Sequence, residues 1–139
     1  MENHELLENI VNLKRNLNRI YGTLGIKSSM NRTDLILLMI IGENNGISPG
    51  RLSEITGFSK SLITISITDL EKAGLIKRKR ATDRRKIEIE MTKKGFQKCS
   101  KIKENVDKNF EKIISKLNEE EKESLSLCIE KIANIITKL

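Results

Sequence analysis

Apolar residues recur along this chain in two rhythms. From Glu5 to Tyr21, Leu6, Ile10, Leu13, Leu17 and Ile20 return at steps of three and four, and Leu7 and Val11 widen the stripe. That spacing predicts an amphipathic helix, which Gly22 and Gly25 should break. Asn31 can cap a second helix, with Asp34 in its first turn. Leu35 to Ile41 is apolar on every side, so this helix should be buried on most faces before Gly42 to Gly46 ends it. Ile47 can form only a strand stub beside a neighbouring sheet. Ser48 and Pro49 start a third helix, a capping hydroxyl followed by a fixed φ, and Gly57 stops it. Ser59 caps a fourth, which runs to Ala73 and ends at Gly74. The rhythm then changes to two. Leu75 to Arg80 and Lys86 to Met91 read as strands, because Ile87, Ile89 and Met91 alternate with Glu88 and Glu90. The helical period returns from Thr92 to about Leu117, through Phe96, Cys99, Ile102, Val106, Phe110, Ile113 and Ile114. Asn118, followed by Glu119, Glu120 and Glu121, opens a last helix carrying Leu125, Cys128, Ile129, Ile132, Ile135 and Ile136.

Two helices joined by a tight glycine turn, then a hairpin, make a winged helix-turn-helix. The expected fold is mainly α with a small β-wing, flanked by N- and C-terminal helices. Residues 31–92 form the DNA-binding region. Residues 1–30 and 93–139 supply dimerisation helices, and the whole makes one integrated domain, as 139 residues allow. The terminal helices are amphipathic, yet the winged helix is complete without them. They either fold back on one chain or pair between two. A homodimer is the expected outcome, because doubling a half-site reader raises affinity and specificity.

Charge sharpens this picture. Between Lys77 and Lys86 stand Lys77, Arg78, Lys79, Arg80, Arg84, Arg85 and Lys86, opposed within the run only by Asp83. Nearly all of the chain's formal +7 therefore sits on one hairpin. A solvated surface loop is the bland alternative, but the run lies where a wing would meet phosphates. Other classes recede. No apolar run reaches the ~18 residues of a membrane span. The acidic start, Met1-Glu2-Asn3-His4-Glu5, lacks the features of a signal peptide, so the cytoplasm is expected. Cys99, Cys128 and His4 have no metal-ligand spacing, so neither zinc nor any other cofactor is expected. Both cysteines should be reduced and packed. With no glycine-rich phosphate loop and no nucleophile-base pair, an enzyme is not expected.

Four stretches carry a family resemblance. They are Leu-Ser-Glu-Ile-Thr-Gly-Phe-Ser-Lys-Ser at 52–61, Leu-Glu-Lys-Ala-Gly-Leu-Ile at 70–76, Asp-Arg-Arg at 83–85 and Met-Thr-Lys-Lys-Gly at 91–95. Together they resemble the MarR family of transcriptional regulators from end to end. The resemblance implies a homodimer clamped through its terminal helices, bound to a pseudo-palindromic operator on double-stranded DNA and often repressing. It also implies release by a small organic effector. An architectural DNA-binding protein with little sequence preference and no ligand is the alternative. Redox-sensing relatives use a cysteine in the N-terminal helix and zinc-sensing ones several histidines. This chain has neither, which leaves an organic ligand or none. Tyr21 could line a crevice for one, although a tyrosine at the end of a helix more often simply packs.

Residue roles follow from the resemblance. Arg85 would enter the minor groove, oriented by Asp83, and arginine suits a narrow A·T-rich groove. The lesser alternative is that Asp83 simply initiates the turn. Lys79, Arg80, Arg84 and Lys86 would meet phosphates. Ser48, Arg51 and Lys60, near the starts of the two central helices, complete the contact set with the recognition helix. There Ser61, Thr64, Ile65 and Thr68 share one face, while Ile63, Ile67 and Leu70 form the buried face beside Ser66. The position of Ile65 is often arginine in the family. Without an arginine, asparagine or glutamine on this face, hydroxyls and thymine-methyl contacts must read the bases, and an A·T-rich operator is expected.

Overall fold

The structure, a computed structural model, describes residues 1–24, 30–83 and 86–139. Its elements are α1 (Asn3–Thr23), α2 (Arg32–Glu43), α3 (Pro49–Thr56), α4 (Lys60–Lys72), β1 (Ile76–Arg80), β2 (Ile87–Met91), α5 (Lys93–Ile114) and α6 (Glu119–Ile136). Mainly helical, with one two-stranded antiparallel sheet, it has the winged helix-turn-helix architecture read from the periodicity. The chain divides into two compact units. One holds α2 to β2 with the first part of α5, up to Glu104. The other holds α1, the remainder of α5 and α6.

In the winged-helix unit the caps behave as their side chains dictate. Asn31 Oδ1 accepts from the Asp34 N–H at 2.8 Å, Ser48 Oγ from Arg51 at 3.1 Å and Ser59 Oγ from Leu62 at 3.2 Å. Each satisfies an orphan donor of a helix N-terminus. Helix α3 stops at Gly57, whose φ of 71° is left-handed. The core is built from Leu37, Leu38 and Ile41 of α2, Leu52 of α3, Ile63, Ile67 and Leu70 of α4, and Ile76, Ile89 and Met91 of the sheet. Each such side chain contributes about 1.5–3 kcal/mol through burial. Ile47 forms the expected stub, bridging Ile89, whose N–H donates to the Ile47 carbonyl at 2.8 Å.

Gly42 and Gly22 both lie inside the last turn of their helices. Helix α2 ends at Glu43, within the Gly42 to Gly46 stretch expected to end it. A Cβ at Gly42 would lie 3.0 Å from the Met91 methyl carbon, so this glycine makes room for packing and does not break the helix. Likewise α1 runs through Gly22 to Thr23. An exposed glycine costs a helix only about 1 kcal/mol, and neighbours can outweigh it.

In the other unit, α6 starts with a full capping box: Asn118 accepts from the Glu121 N–H, and the Glu121 side chain accepts from the Asn118 N–H. Leu24 is buried after α1, and Asn109 Nδ2 of α5 donates to its carbonyl at 2.6 Å. Neither α1 nor α6 has a single buried residue. Leu6, Leu7, Ile10 and Val11 on α1, and Leu127, Ile129, Ile135 and Ile136 on α6, are all exposed in the single chain. Cys99 is half-buried and packs on the core, as expected, but Cys128 is exposed. That correction has the same origin, because nothing among the described residues buries its stretch of α6. No helix among the described residues is long and apolar enough to cross a membrane.

Candidate nucleic-acid interface

Helix α4 presents two unlike faces. Inward, Ile63, Ile67 and Leu70 pack on the core, and between them the buried Ser66 hydroxyl donates to the buried carboxylate of Asp34. A carboxylate acceptor makes this a strong hydrogen bond, and it ties α4 to α2 at one rotational phase. Outward lie Ser61, Thr64 and Ile65, the last 60% exposed. Thr68 is half-exposed beside them. The two threonine hydroxyls are already engaged. Thr64 Oγ1 donates to the Lys60 carbonyl at 2.9 Å and Thr68 Oγ1 to the Thr64 carbonyl at 2.8 Å. Their protons are therefore committed to the helix backbone, and the face is more apolar than its composition implies.

The wing also has two faces. Its register pairs Ile76 with Met91, Arg78 with Ile89 and Arg80 with Ile87 on one side, and Lys77 with Glu90 and Lys79 with Glu88 on the other. Residues directly opposite in an antiparallel pair share a face. The first face is continuous with the core through Ile76, Ile89 and Met91. The second is an ion-pair surface: Lys77 Nζ and Lys79 Nζ each lie 3.6 Å from a carboxylate oxygen of Glu90. Arg80 and Lys86 hold no ion pair among the described residues. At the tip, Asp83 accepts from the Lys86 N–H through its backbone carbonyl at 3.0 Å, which closes the turn. Arg84 and Arg85, both assigned to DNA from the sequence, lie outside the described residues.

Of the remaining assigned residues, some are exposed and others are engaged within their own helix. Lys60 and Ser61 are exposed at the start of α4. Ser48 is spent as the cap of α3, and Arg51 Nη1 donates to Glu54 Oε2 at 2.9 Å. Two residues were missed from sequence. Arg78 leaves the wing and meets α4, where Nη2 donates to Thr68 Oγ1 at 3.0 Å and Nε lies 3.8 Å from Glu71. Glu90 pairs with two wing lysines, Lys77 and Lys79, and offsets one of their two charges. The strand pattern carried the signal for both, since register puts Glu90 across from Lys77 and Arg78 on the core side. Burial pushes the Cys99 thiol pKa up, which disfavours the reactive thiolate. Among the described residues no group of three metal-ligating side chains comes together.

The family model of MarR matches residues 28–86, from just before α2 through the wing. Over that stretch, which spans the winged helix, the chain is similar to the MarR family. Members of the MarR family are DNA-binding transcription regulators, not enzymes. The fold recurs in solved structures at full length. FabT of Streptococcus pneumoniae, solved in complex with DNA, is 22% identical with a TM-score of 0.77, and 99% of each chain is covered. A MarR family protein from Bacillus stearothermophilus is 18% identical with a TM-score of 0.81, again over 99% of each chain. A MarR protein from Peptoclostridium difficile is 25% identical with a TM-score of 0.73, over 98% of this chain and 90% of that one. No curated protein matches the chain.

Proposed function

We propose that this chain is a cytoplasmic, sequence-specific, homodimeric transcriptional repressor of the MarR family, released from its operator by a small organic ligand. The single observation that carries the DNA-reading part is the outward face of α4, apolar and exposed, beside a wing with cations at its tip. Ile65 and the methyl groups of Thr64 and Thr68 meet thymine methyls in the major groove. Ser61 and Lys60 enter the groove from the N-terminal end of the helix. Arg80, Arg84 and Lys86 meet phosphates, with Ser48, Arg51 and Lys79 at the margins, and Arg85, oriented by Asp83, enters the minor groove. In this proposal residues 31–92 bind DNA while 1–30 and 93–139 dimerise.

Dimerisation is supported by the bare apolar stripes of α1 and α6, which a single chain leaves in water. Ligand release rests on the family resemblance. On α5 the exposed Phe96 shares an open helix face with Lys93, Gln97, Ser100, Lys101 and Glu104, which offers the apolar part of an effector a ring to rest on.

Binding selection from random duplexes tests the reading. The expected consensus is a pseudo-palindrome, A·T-rich where α4 lies, with half-site centres roughly 10 base pairs apart. Replacing thymine by uracil in that consensus should cost affinity at one or two positions per half-site, and Ile65→Ala should abolish the sensitivity there. Enrichment of no sequence would mark an architectural protein instead.

A further inference from the structure

Strand alternation decides where Arg78 goes. It shares a face with Ile76 and sits opposite Ile89, both buried, so it emerges at the edge of the core beside α4. Three contacts hold it there. Nη2 donates to Thr68 Oγ1 at 3.0 Å, Nε lies 3.8 Å from Glu71 Oε2, and the Arg78 backbone N–H donates to that same oxygen at 3.2 Å. Since the Thr68 hydroxyl proton goes to the Thr64 carbonyl, its oxygen is free to accept from Arg78. A guanidinium has five N–H donors. The side-chain contacts engage Nε and one hydrogen of Nη2. Both hydrogens of Nη1 and the second of Nη2 remain, on a side chain 38% exposed.

We infer that Arg78 is a guanine-reading residue, delivered from β1 to the flank of the recognition helix, which itself carries no arginine. Two parallel donors match the O6 and N7 acceptors of guanine in the major groove. Lysine could not take this place, because one ammonium cannot engage Thr68 and Glu71 and still offer a planar fork. Nor does stability explain the arrangement, since an exposed ion pair of this kind contributes little to folding. Glu71 is the positioning residue: it holds both the backbone and the side chain of Arg78. The consequence for the operator is one guanine per half-site at the wing-side edge of the footprint of α4, next to the thymines facing Ile65.

The inference rests on the DNA-reading proposal, and the test separates the two. Sites are selected with the wild-type chain and with Arg78→Lys, and each selected guanine is then replaced by 7-deazaguanine, which pairs normally but lacks N7. Wild type should lose about tenfold in affinity at one guanine per half-site. Arg78→Lys should lose its preference at that position alone and be indifferent to the replacement. A wild-type consensus without guanine at the wing-side edge overturns the inference, as does indifference to 7-deazaguanine there, or an unchanged preference in Arg78→Lys. The base replacement needs no variant, so the inference remains testable if Arg78→Lys folds poorly. Selection of no sequence at all would overturn the DNA-reading proposal itself.

Discussion

At the scale of single residues, what was legible depended on whether a side chain's role was local. Caps are local. Asn31, Ser48, Ser59 and Asn118 bind N–H groups three residues on, and each could be assigned from its position before a helical run. The phase of Ile65 was likewise legible, since burial of Ile63, Ile67 and Leu70 turns it outward. The Asp34–Ser66 bond was not. Thirty-two residues separate the partners, and a small polar residue in an apolar face gives no hint of which carboxylate it will meet. Thr92-Lys93-Lys94-Gly95 was read only as a family signature, and the fold supplies its physical reason. Thr92 Oγ1 donates to the Gly74 carbonyl at 2.6 Å and accepts from the Gly95 N–H at 3.1 Å, while Lys94 Nζ donates to the Ala73 carbonyl at 2.8 Å. A Cβ on Gly95 would collide with the Leu75 carbonyl and the Met91 sulfur. Gly95→Ala should therefore destabilise the protein by about 2 kcal/mol, the usual cost of overpacking a tight contact. Urea unfolding measures this; a change below ~0.5 kcal/mol, typical of a neutral surface substitution, would show that the contact relaxes freely.

Among the elements, the wing departs furthest from its linear sequence. Counted along the chain, residues 77–86 oppose seven cations with one aspartate. Folded, the strand register brings Glu90 against Lys77 and Lys79, so those two ammonium groups face a carboxylate across the sheet. Arg80, on the other face, has no such partner among the described residues. The two neighbours should behave differently on DNA. Arg80→Ala should flatten the dependence of log affinity on log salt by about one unit, the signature of one lost phosphate contact. Lys79→Ala should change that slope by only about half as much, because the single charge of Glu90 is shared between Lys77 and Lys79. Salt titrations by fluorescence anisotropy distinguish the variants. Equal slopes would mean that both lysine and arginine reach phosphates and that the Glu90 pair opens on binding.

For the whole molecule, the order of elements was readable because hydrophobic period and capping agree along nearly the entire chain. What a single chain does with α1 and α6 was not, because an amphipathic stripe specifies that a face must be covered and not by what. Here both helices end up with no buried residue, and their leucines and isoleucines remain in contact with water. In the proposed homodimer a second copy would offer an identical pair of bare stripes, and two-fold pairing would bury both sets at once. The same two-fold axis would place two copies of α4 one turn of DNA apart. The central claim is thus that the protein reads DNA as a symmetric pair of winged helices, and half-site spacing tests it most directly. Affinity is measured at one salt concentration for the selected operator, for the operator with roughly 5 base pairs inserted at its centre, and for a random duplex of equal length. The insertion puts the half-sites on opposite sides of the helix. The account predicts a loss of at least about tenfold on insertion and a further loss, to about a thousandfold below the operator, on random DNA. Equal affinity for all three duplexes would contradict it.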